Sequence, residues 1–173
     1  MSAITIRPYE PADAEGLFNA ATESAHDMFP WLPWCHPEYT LGEAEGWIAL
    51  CEANRLAGSE FHFAILSALG EFLGGCGING LNREHQFANL GYWVRSSAVG
   101  KGVATAATQL IRDWAFGNTD LVRLEIVAAT GNHASARVAE KSGAIHEGRL
   151  HDRLAIHGKT HDANIYSFVR SAG

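Results

Sequence analysis

The stretch with the clearest chemical content is GYWVRSSAVGKGVATAATQL, residues 91–110, where an aromatic run breaks into a glycine-containing loop and then becomes rich in alanine. This order predicts a strand, a loop and a helix beginning at about Lys101. Gly100 and Gly102 allow the backbone to approach a ligand closely. Free N–H groups at a helix start attract phosphate, with help from the helix dipole. The loop is therefore predicted to bind an anionic group.

Two familiar phosphate-binding motifs do not fit this loop. A P-loop requires G-x-x-x-x-G-K-[ST], but Arg95 occupies the first glycine position and Gly102 follows Lys101. A dinucleotide fingerprint requires Gly or Ala where Thr105 stands, and it follows a first parallel strand rather than a meander. Both motifs are excluded by the residues present.

A second candidate is the N-x-x-S pair of Asn132 and Ser135, which follows the strand-like run LEIVAAT. Asn132 is a favourable N-cap residue, and Ser135 lies one turn later on a short predicted helix. The spacing alone is compatible with a helix cap and with a functional pair.

The three cysteines, Cys35, Cys51 and Cys76, include no close pair, so neither a disulfide framework nor a CxxC site is predicted. This usage is typical of a reduced, intracellular compartment. Cys35 adjoins His36, but neighbouring residues rarely present both groups to one substrate. Buried thiols are therefore favoured over a nucleophilic cysteine.

No metal site is predicted. His157 and His161 would share one face of a helix, with the spacing of a ligand pair. However, Gly158 lies between them in a run that predicts a hairpin turn, and a turn does not present the two rings together.

The elements that would position these residues alternate between sheet and helix. Hydrophobic periodicity predicts helices from about Pro11, from about Leu41 to Arg55, from about Lys101 to Phe116, and over residues 132–143. Strands are predicted over residues 4–9, 60–67, 71–81, 88–95, 122–128, 144–153 and 163–170. Short turns within residues 60–95 favour an antiparallel meander. The fold class is therefore α+β or mixed α/β, with helices on the faces of a sheet.

Composition indicates one globular domain over residues 1–173, with 47% hydrophobic and 18% charged residues. The net charge of −6 argues against a nucleic-acid binder and is compatible with a cationic substrate. The amino terminus has no signal-peptide pattern, and no apolar run approaches the roughly 20 residues that span a bilayer. A soluble, cytoplasmic protein is expected.

Over nearly its whole length the chain resembles the GNAT superfamily of N-acetyltransferases, and within it the RimJ/RimL type, which acetylates ribosomal proteins. The resemblance rests on PWLPW with the helix after it, LGYWV running into VGKGVAT, and NHASARVAEKSGA followed by EGRL. It implies a mixed, mostly antiparallel sheet of about seven strands flanked by about four helices. It also implies acetyl-CoA as cosubstrate, and a homodimer would be typical of the family.

The resemblance assigns the cofactor's contacts to two segments. The backbone of the loop would hold the pyrophosphate through Val99, Gly100, Lys101, Gly102, Val103 and Ala104. The strand before it would hold the pantetheine arm through Trp93, Val94 and Arg95. The family pattern Q/R-x-x-G-x-G/A has Gln or Arg where this chain has Val99, which removes a side chain but retains the backbone N–H groups.

The same resemblance places Asn132 beside the pantetheine arm and Ser135 near the sulfur, as a general acid for the departing thiolate. An ammonium must also lose a proton before it attacks a thioester. Many relatives carry a carboxylate on the central strand where this chain has Asn89. The sequence leaves the base open among Glu84, His85, His36, Glu43 and Asp162. The oxyanion is expected on a backbone N–H near Val94.

The acceptor is expected to be an amine-bearing small molecule or a protein N-terminus. The family places the proline-broken loop between the first two helices at the acceptor entrance, so Phe29, Trp31 and Trp34 are candidates for lining it, whereas Trp47 is expected in the core. The alternative to an enzyme is a non-catalytic acyl-CoA-binding sensor, because Asn89 replaces a carboxylate.

Overall fold

Seven strands form one sheet in the computed structural model, which describes residues 3–170. The strands are β1 Ile4–Pro8, β2 Phe61–Ser67, β3 Phe72–Asn82, β4 Phe87–Val94, β5 Arg123–Ala129, β6 Ile145–Ile156 and β7 Lys159–Val169. Their order across the sheet is β1-β2-β3-β4-β5-β7-β6, and only β4 and β5 pair in parallel. The predicted mixed, mostly antiparallel sheet is confirmed.

Four helices cover the two faces of this sheet, as predicted: α1 Ala14–Met28, α2 Leu41–Ala57, α3 Val103–Asn118 and α4 His133–Lys141. Leu17 of α1 and Ile48 of α2 belong to a core cluster on one face. Ile111 of α3 and Ala139 of α4 belong to a larger cluster on the other. None of these helices, within residues 3–170, has the combined length and apolar content that a membrane crossing requires.

The starts of α2 and α3 are specified by different local chemistry. Thr40 and Glu43 form a capping box, in which the Thr40 side chain accepts from the Glu43 N–H and Glu43 accepts from the Thr40 N–H. Helix α3 has no side-chain cap. It begins at Val103, two residues later than predicted, because Gly100 and Gly102 adopt left-handed conformations with φ of 79° and 80°.

The β6–β7 hairpin extends further than its sequence pattern indicates. Pairing continues past the predicted strand ends, through Leu154 with His161, to Ile156 with Lys159. The turn is made by His157 and Gly158, both with positive φ, which is the pattern of a type I′ turn. Exposed polar residues next to this turn hide the strand signal.

The parallel pairing of β4 with β5 is short. It covers Phe87 to Asn89 on β4 and ends with the pair of Asn89 and Glu125. Beyond that point β4 follows β3 as far as Val94, while β5 follows β7 as far as Ala129. The two central strands therefore separate, and a wedge opens in the middle of the sheet.

Helix α1 holds the chain where it leaves β4. The Glu23 carboxylate accepts from Arg95 Nε at 3.0 Å and from the Ser97 N–H at 2.7 Å. The Ser24 hydroxyl accepts from the Ser96 N–H at 2.9 Å, and the Ser96 hydroxyl donates to Asp27 at 2.5 Å. These bonds fix the segment that leads into the glycine-containing loop.

The hydrogen bonds from Arg95 and Ser97 lower the pKa of Glu23 to about 2. A lowered carboxyl pKa stabilises the fold above the ordinary range near pH 4.5, and that contribution is lost as the pH falls towards 2. We expect Glu23→Gln to cost on the order of 1 kcal/mol at neutral pH and to weaken the acid dependence of stability between pH 4.5 and 2.

Thermal unfolding followed by circular dichroism at pH 7 and at pH 3 measures this effect. The matched control is Glu52→Gln, which removes an exposed carboxylate from the middle of α2. Equal behaviour of the two variants at both pH values would contradict the assignment.

Candidate active site

A cavity of about 1340 Å³ occupies the wedge between β4 and β5. Its lining comes from both faces of the sheet. Gly91 and Trp93 contribute from the face that carries α1 and α2, and Ala104 and Ser135 contribute from the face that carries α3 and α4. The cavity therefore connects the glycine-containing loop with the face on which the two amino-terminal helices pack.

The start of α3 lies at one end of this cavity. Val99, Gly100, Gly102, Val103 and Ala104 line it, whereas Lys101 is exposed and does not. The Ala106 N–H donates to the Gly102 carbonyl and makes the first hydrogen bond of the helix. The N–H groups of the residues before Ala106 therefore have no partner within the helix. These N–H groups lie at the positive end of the helix dipole, which suits a phosphate.

The edge of β4 offers backbone groups to the cavity at alternate residues. The Arg95 N–H donates to the Leu73 carbonyl at 2.8 Å, so every second residue before it also turns its backbone towards β3. Tyr92 and Val94 consequently turn theirs towards the wedge, and Trp93 does not. Arg95 is used within the fold, since its carbonyl also accepts from the Ala98 N–H. Of the three strand residues predicted to hold the pantetheine arm, only Val94 has the required orientation.

Asn132 and Ser135 line the cavity opposite this edge. The Asn132 side chain accepts from the Ser135 N–H at 3.1 Å, so the predicted N-cap is present. The Tyr92 hydroxyl lies 2.9 Å from the Ser135 carbonyl and 3.1 Å from its hydroxyl. Burial raises the pKa of Tyr92 to about 12, which keeps the phenol protonated. Tyr92 was not among the predicted site residues, because strand alternation alone does not reveal its contact with α4.

Charged side chains of opposite sign line the two ends of the cavity. Arg137 and Lys141, four residues apart on α4, line the end near the start of α3. Glu43 lines the end beneath α1 and α2, whereas Asp27, which accepts from the Ser96 hydroxyl, lies beside the segment that leads into the glycine-containing loop. Neither Arg137 nor Lys141 was among the site residues predicted from the sequence. The arrangement suits an anion at the first end and a cation at the second.

The floor of the second end is made of glycine. Gly75, Gly77 and Gly91 all line the cavity, and a Cβ at Gly91 would meet no atom within 4 Å. A Cβ at Gly75 would lie 2.3 Å from the Tyr9 hydroxyl and 2.7 Å from the Trp93 indole nitrogen. The missing side chains thus let Tyr9, Trp93 and His62 pack close to the strands, and the groove on the surface of the sheet is open only above Gly91.

Aromatic rings form the walls of this groove. Trp31 and Trp34 line it, as do Trp47 and Trp93, and Trp34 contacts Trp93 edge to face at 5.3 Å between ring centroids. Trp47, expected in the core, also packs against the buried cluster. Phe29 is not among the lining residues: its ring packs on His157 at 4.3 Å, and its carbonyl accepts from the same imidazole.

Of the five candidate bases predicted from the sequence, one lines the cavity. Glu43 lines the cavity, and its carboxylate contacts His36 Nε2 at 2.8 Å. Hydrogen bonds from Thr40, followed by that from His36, lower the pKa of Glu43. Glu84 and His85 are exposed in the β3–β4 turn. Asp162 accepts from the Asp152 N–H and from Arg149, and these contacts lower its pKa to about 2.

Asn89, which the family resemblance aligns with a carboxylate, lies at the end of the parallel pairing of β4 with β5. Its side-chain amide donates to Asn79 Oδ1 at 3.0 Å, and both asparagines line the cavity. The pair supplies polar atoms to the groove but no group that takes up a proton.

The cysteines have the properties of structural thiols. All three are buried, and burial raises the pKa of Cys35 to about 11 and that of Cys51 to about 12. Cys76 lines the cavity, and burial raises its pKa as well. Since the thiolate is the nucleophile, these environments argue against covalent catalysis by cysteine. Within residues 3–170, no three His, Cys, Asp or Glu side chains are grouped as a metal site.

Comparison with known proteins decides the family. The profile of the family described as "Acetyltransferase (GNAT) domain" matches residues 3–145. The chain belongs to the GNAT acetyltransferase family. Its sequence is 30% identical to that of YdaF from Bacillus subtilis, whose name assigns it to the ribosomal N-acetyltransferases, over 96% of this chain and 91% of YdaF.

Solved structures of GNAT proteins agree with this assignment. RimJ from Mycobacterium smegmatis, solved with CoA-disulfide, is 26% identical and superposes with a TM-score of 0.89 over 97% of this chain and 82% of RimJ. Ribosomal-protein-S5-alanine acetyltransferase from Vibrio fischeri shares the fold at 21% identity, with a TM-score of 0.87 over 99% of this chain and 95% of that protein. The chain is therefore a GNAT N-acetyltransferase with the RimJ/RimL-type fold.

In this GNAT protein, Gly102 is the most direct test of the loop. We expect Gly102→Val to weaken binding of CoA at least tenfold, because its left-handed φ of 80° disfavours a β-branched residue and the side chain would enter the phosphate approach. Calorimetric titration with CoA measures the change. The control is Gly117→Ala near the end of α3, where a Cβ meets no atom within 4 Å. Unchanged affinity in Gly102→Val would remove the loop from the cofactor site.

Proposed function

We propose that the protein transfers the acetyl group of acetyl-CoA to a primary amine, by direct attack in a ternary complex. The observation that carries the proposal is the continuous cavity, which extends from the free N–H groups of α3 to the open groove beneath α1 and α2. Such a cavity has room for a nucleotide thioester at one end and an acceptor at the other.

The cofactor fits the end near α3. The backbone of residues 99–104 would hold the pyrophosphate, with Arg137 and Lys141 close enough to line the same space. The pantetheine arm would follow the edge of β4 and donate a strand-like hydrogen bond to the Val94 carbonyl, opposite Asn132. RimJ from Mycobacterium smegmatis, which shares the fold, is solved with CoA-disulfide, and this supports CoA as the ligand.

The acceptor fits the opposite end. Glu43 favours an ammonium there, and the rings of Trp31, Trp34 and Trp93 provide apolar and cation–π surface. We propose a protein α-amine or a small-molecule amine as the acceptor class. The relatives favour the protein α-amine, since one of them is a ribosomal-protein-S5-alanine acetyltransferase.

The chemistry proposed at the wedge involves both faces of β4. The amine nitrogen attacks the thioester carbonyl, and the Val94 N–H stabilises the oxyanion. Collapse of this intermediate forms the amide and breaks the carbon–sulfur bond. The Ser135 hydroxyl, hydrogen-bonded to Tyr92, is placed to stabilise the departing thiolate.

Acetyl-CoA titration followed by a thiol-release assay tests the proposal. We expect stoichiometric binding of acetyl-CoA, together with release of free thiol that depends on an acceptor from a panel of short peptides beginning with alanine or serine and of small amines such as spermidine. Binding without turnover on any amine would favour the non-catalytic sensor, whereas absence of binding would overturn the assignment of the cavity.

The hydrogen bond between the Tyr92 and Ser135 hydroxyls can be tested by substitution. We expect Ser135→Ala to lower kcat by about tenfold and to leave the Kd of acetyl-CoA within a few-fold, because the hydroxyl acts on the leaving group. Tyr92→Phe should produce part of the same loss, since it removes the hydrogen bond at 3.1 Å. Steady-state kinetics of the single and double variants measure the coupling. Full activity in Ser135→Ala would show that Ser135 has only a structural role in α4.

A further inference from the structure

The imidazole of His62 lines the acceptor groove. His62 lies on β2, and its side chain is 11% exposed. The ring packs against Trp47 at 4.9 Å between centroids and an interplanar angle of 62°. The imidazole is therefore held at the wall of the groove rather than in solvent.

Carboxylate and amide side chains fix the orientation of this ring. His62 Nε2 contacts Glu60 Oε2 at 2.9 Å, and the same oxygen accepts from Asn54 Nδ2 at 3.1 Å. Because an ionised carboxylate only accepts hydrogen bonds, Nε2 carries the hydrogen in the neutral ring. Nδ1 is then left with a lone pair, which is the arrangement of a histidine base supported by a carboxylate.

The lone pair lies above the glycine floor. His62 pairs with Gly77 across β2 and β3, and Gly77 pairs with Gly91 across β3 and β4. A Cβ on Gly77 would lie only 2.6 Å from His62 Nδ1. Since neither glycine has a side chain, Nδ1 is about one strand spacing, roughly 5 Å, from the position above Gly91 at the wedge. From there, His62 Nδ1 would reach an ammonium above Gly91 directly or through one water molecule.

We infer that His62 is the general base of the acetyl transfer, with Glu60 and Asn54 as its positioning residues. This inference rests on the proposed function. His62 Nδ1 accepts one proton from the ammonium of the acceptor, and the nitrogen lone pair forms the new bond to the carbonyl carbon. The carbon–sulfur bond breaks, and its electron pair leaves with the sulfur. The amide nitrogen loses its second proton, which is taken up by the thiolate, while His62 returns its proton to solvent.

The other cavity carboxylate is less suited to this step. Glu43 already accepts from the Thr40 N–H and hydroxyl at 2.8 Å and contacts His36 at 2.8 Å. Its hydrogen bonds serve the start of α2, and its side chain is 44% exposed. His62 has no competing partner at Nδ1 among the described residues.

The charged and titratable groups around His62 come from three elements. Glu60 precedes it on the same segment, and Cys51 lies on α2, where burial, followed by the charge of Glu60, raises the pKa of its thiol. Tyr9 contacts Trp47, and burial raises the pKa of its phenol. Cys51 and Tyr9 are therefore neutral near pH 7, so Glu60 is the charged group that acts on the imidazole.

The experiment compares His62→Gln with His85→Gln, which changes an exposed histidine in the β3–β4 turn. The acceptor is the alanine or serine peptide that the wild type turns over fastest. We expect His62→Gln to lower kcat/KM about 100-fold and His85→Gln to have no effect. Log kcat/KM of the wild type should level off as pH rises, whereas that of His62→Gln should keep rising. The Kd of acetyl-CoA, measured on each variant, reports whether the fold is intact.

A second variant separates catalysis from structure. In His62→Ala, added imidazole should raise kcat/KM at least tenfold. A purely structural role of His62 would not allow this rescue. Wild-type kcat/KM and pH dependence in His62→Gln, with the peptide still turned over, would overturn the inference and leave the proposed function intact. Absence of turnover by the wild type on every amine would overturn both. A Glu60→Gln variant with an unchanged pH profile would remove Glu60 from its positioning role.

Discussion

The separation of β4 from β5 after the pair of Asn89 and Glu125 is the feature on which the rest of the site depends. Each strand remains bonded on its outer side, β4 to β3 and β5 to β7, so the opening costs only the ladder between them. An unpaired strand edge in the middle of a sheet is an unusual exposure of backbone N–H and carbonyl groups. A ligand that supplies strand-like partners at Val94, as proposed for the pantetheine arm, would satisfy them.

The wedge also allows the two faces of the sheet to do different chemistry. On the face that carries α3 and α4, the helix start, Arg137 and the Tyr92–Ser135 pair lie where an anionic cofactor and a leaving sulfur are proposed. On the opposite face, Gly77 lets His62 pack close to the sheet, and the surface above Gly91 is open. The proposed acid and base residues therefore lie on opposite faces of the sheet, and the cavity connects them only where β4 and β5 diverge.

Stability and function are connected through α1. Glu23, Ser24 and Asp27 hold the residues that follow β4, and the glycine-containing loop begins immediately afterwards. Arg95, which the family resemblance assigned to the cofactor, donates from its side chain to Glu23 in this connection. The position of the α3 start relative to the wedge thus depends on hydrogen bonds from a helix on the other face of the sheet.

The sequence by itself determined the order and type of the elements, because hydrophobic periodicity and turn residues are local signals. It also determined the family and the glycine-containing loop, since backbone N–H groups at a helix start need only the right local conformation. Only the tertiary structure decided which side chains meet. Tyr92 and Ser135 are 43 residues apart, and His62 reaches the groove because Gly77 and Gly91 lie beside it on other strands. Strand register and the divergence of β4 from β5 arise from long-range packing, which no short stretch of sequence encodes.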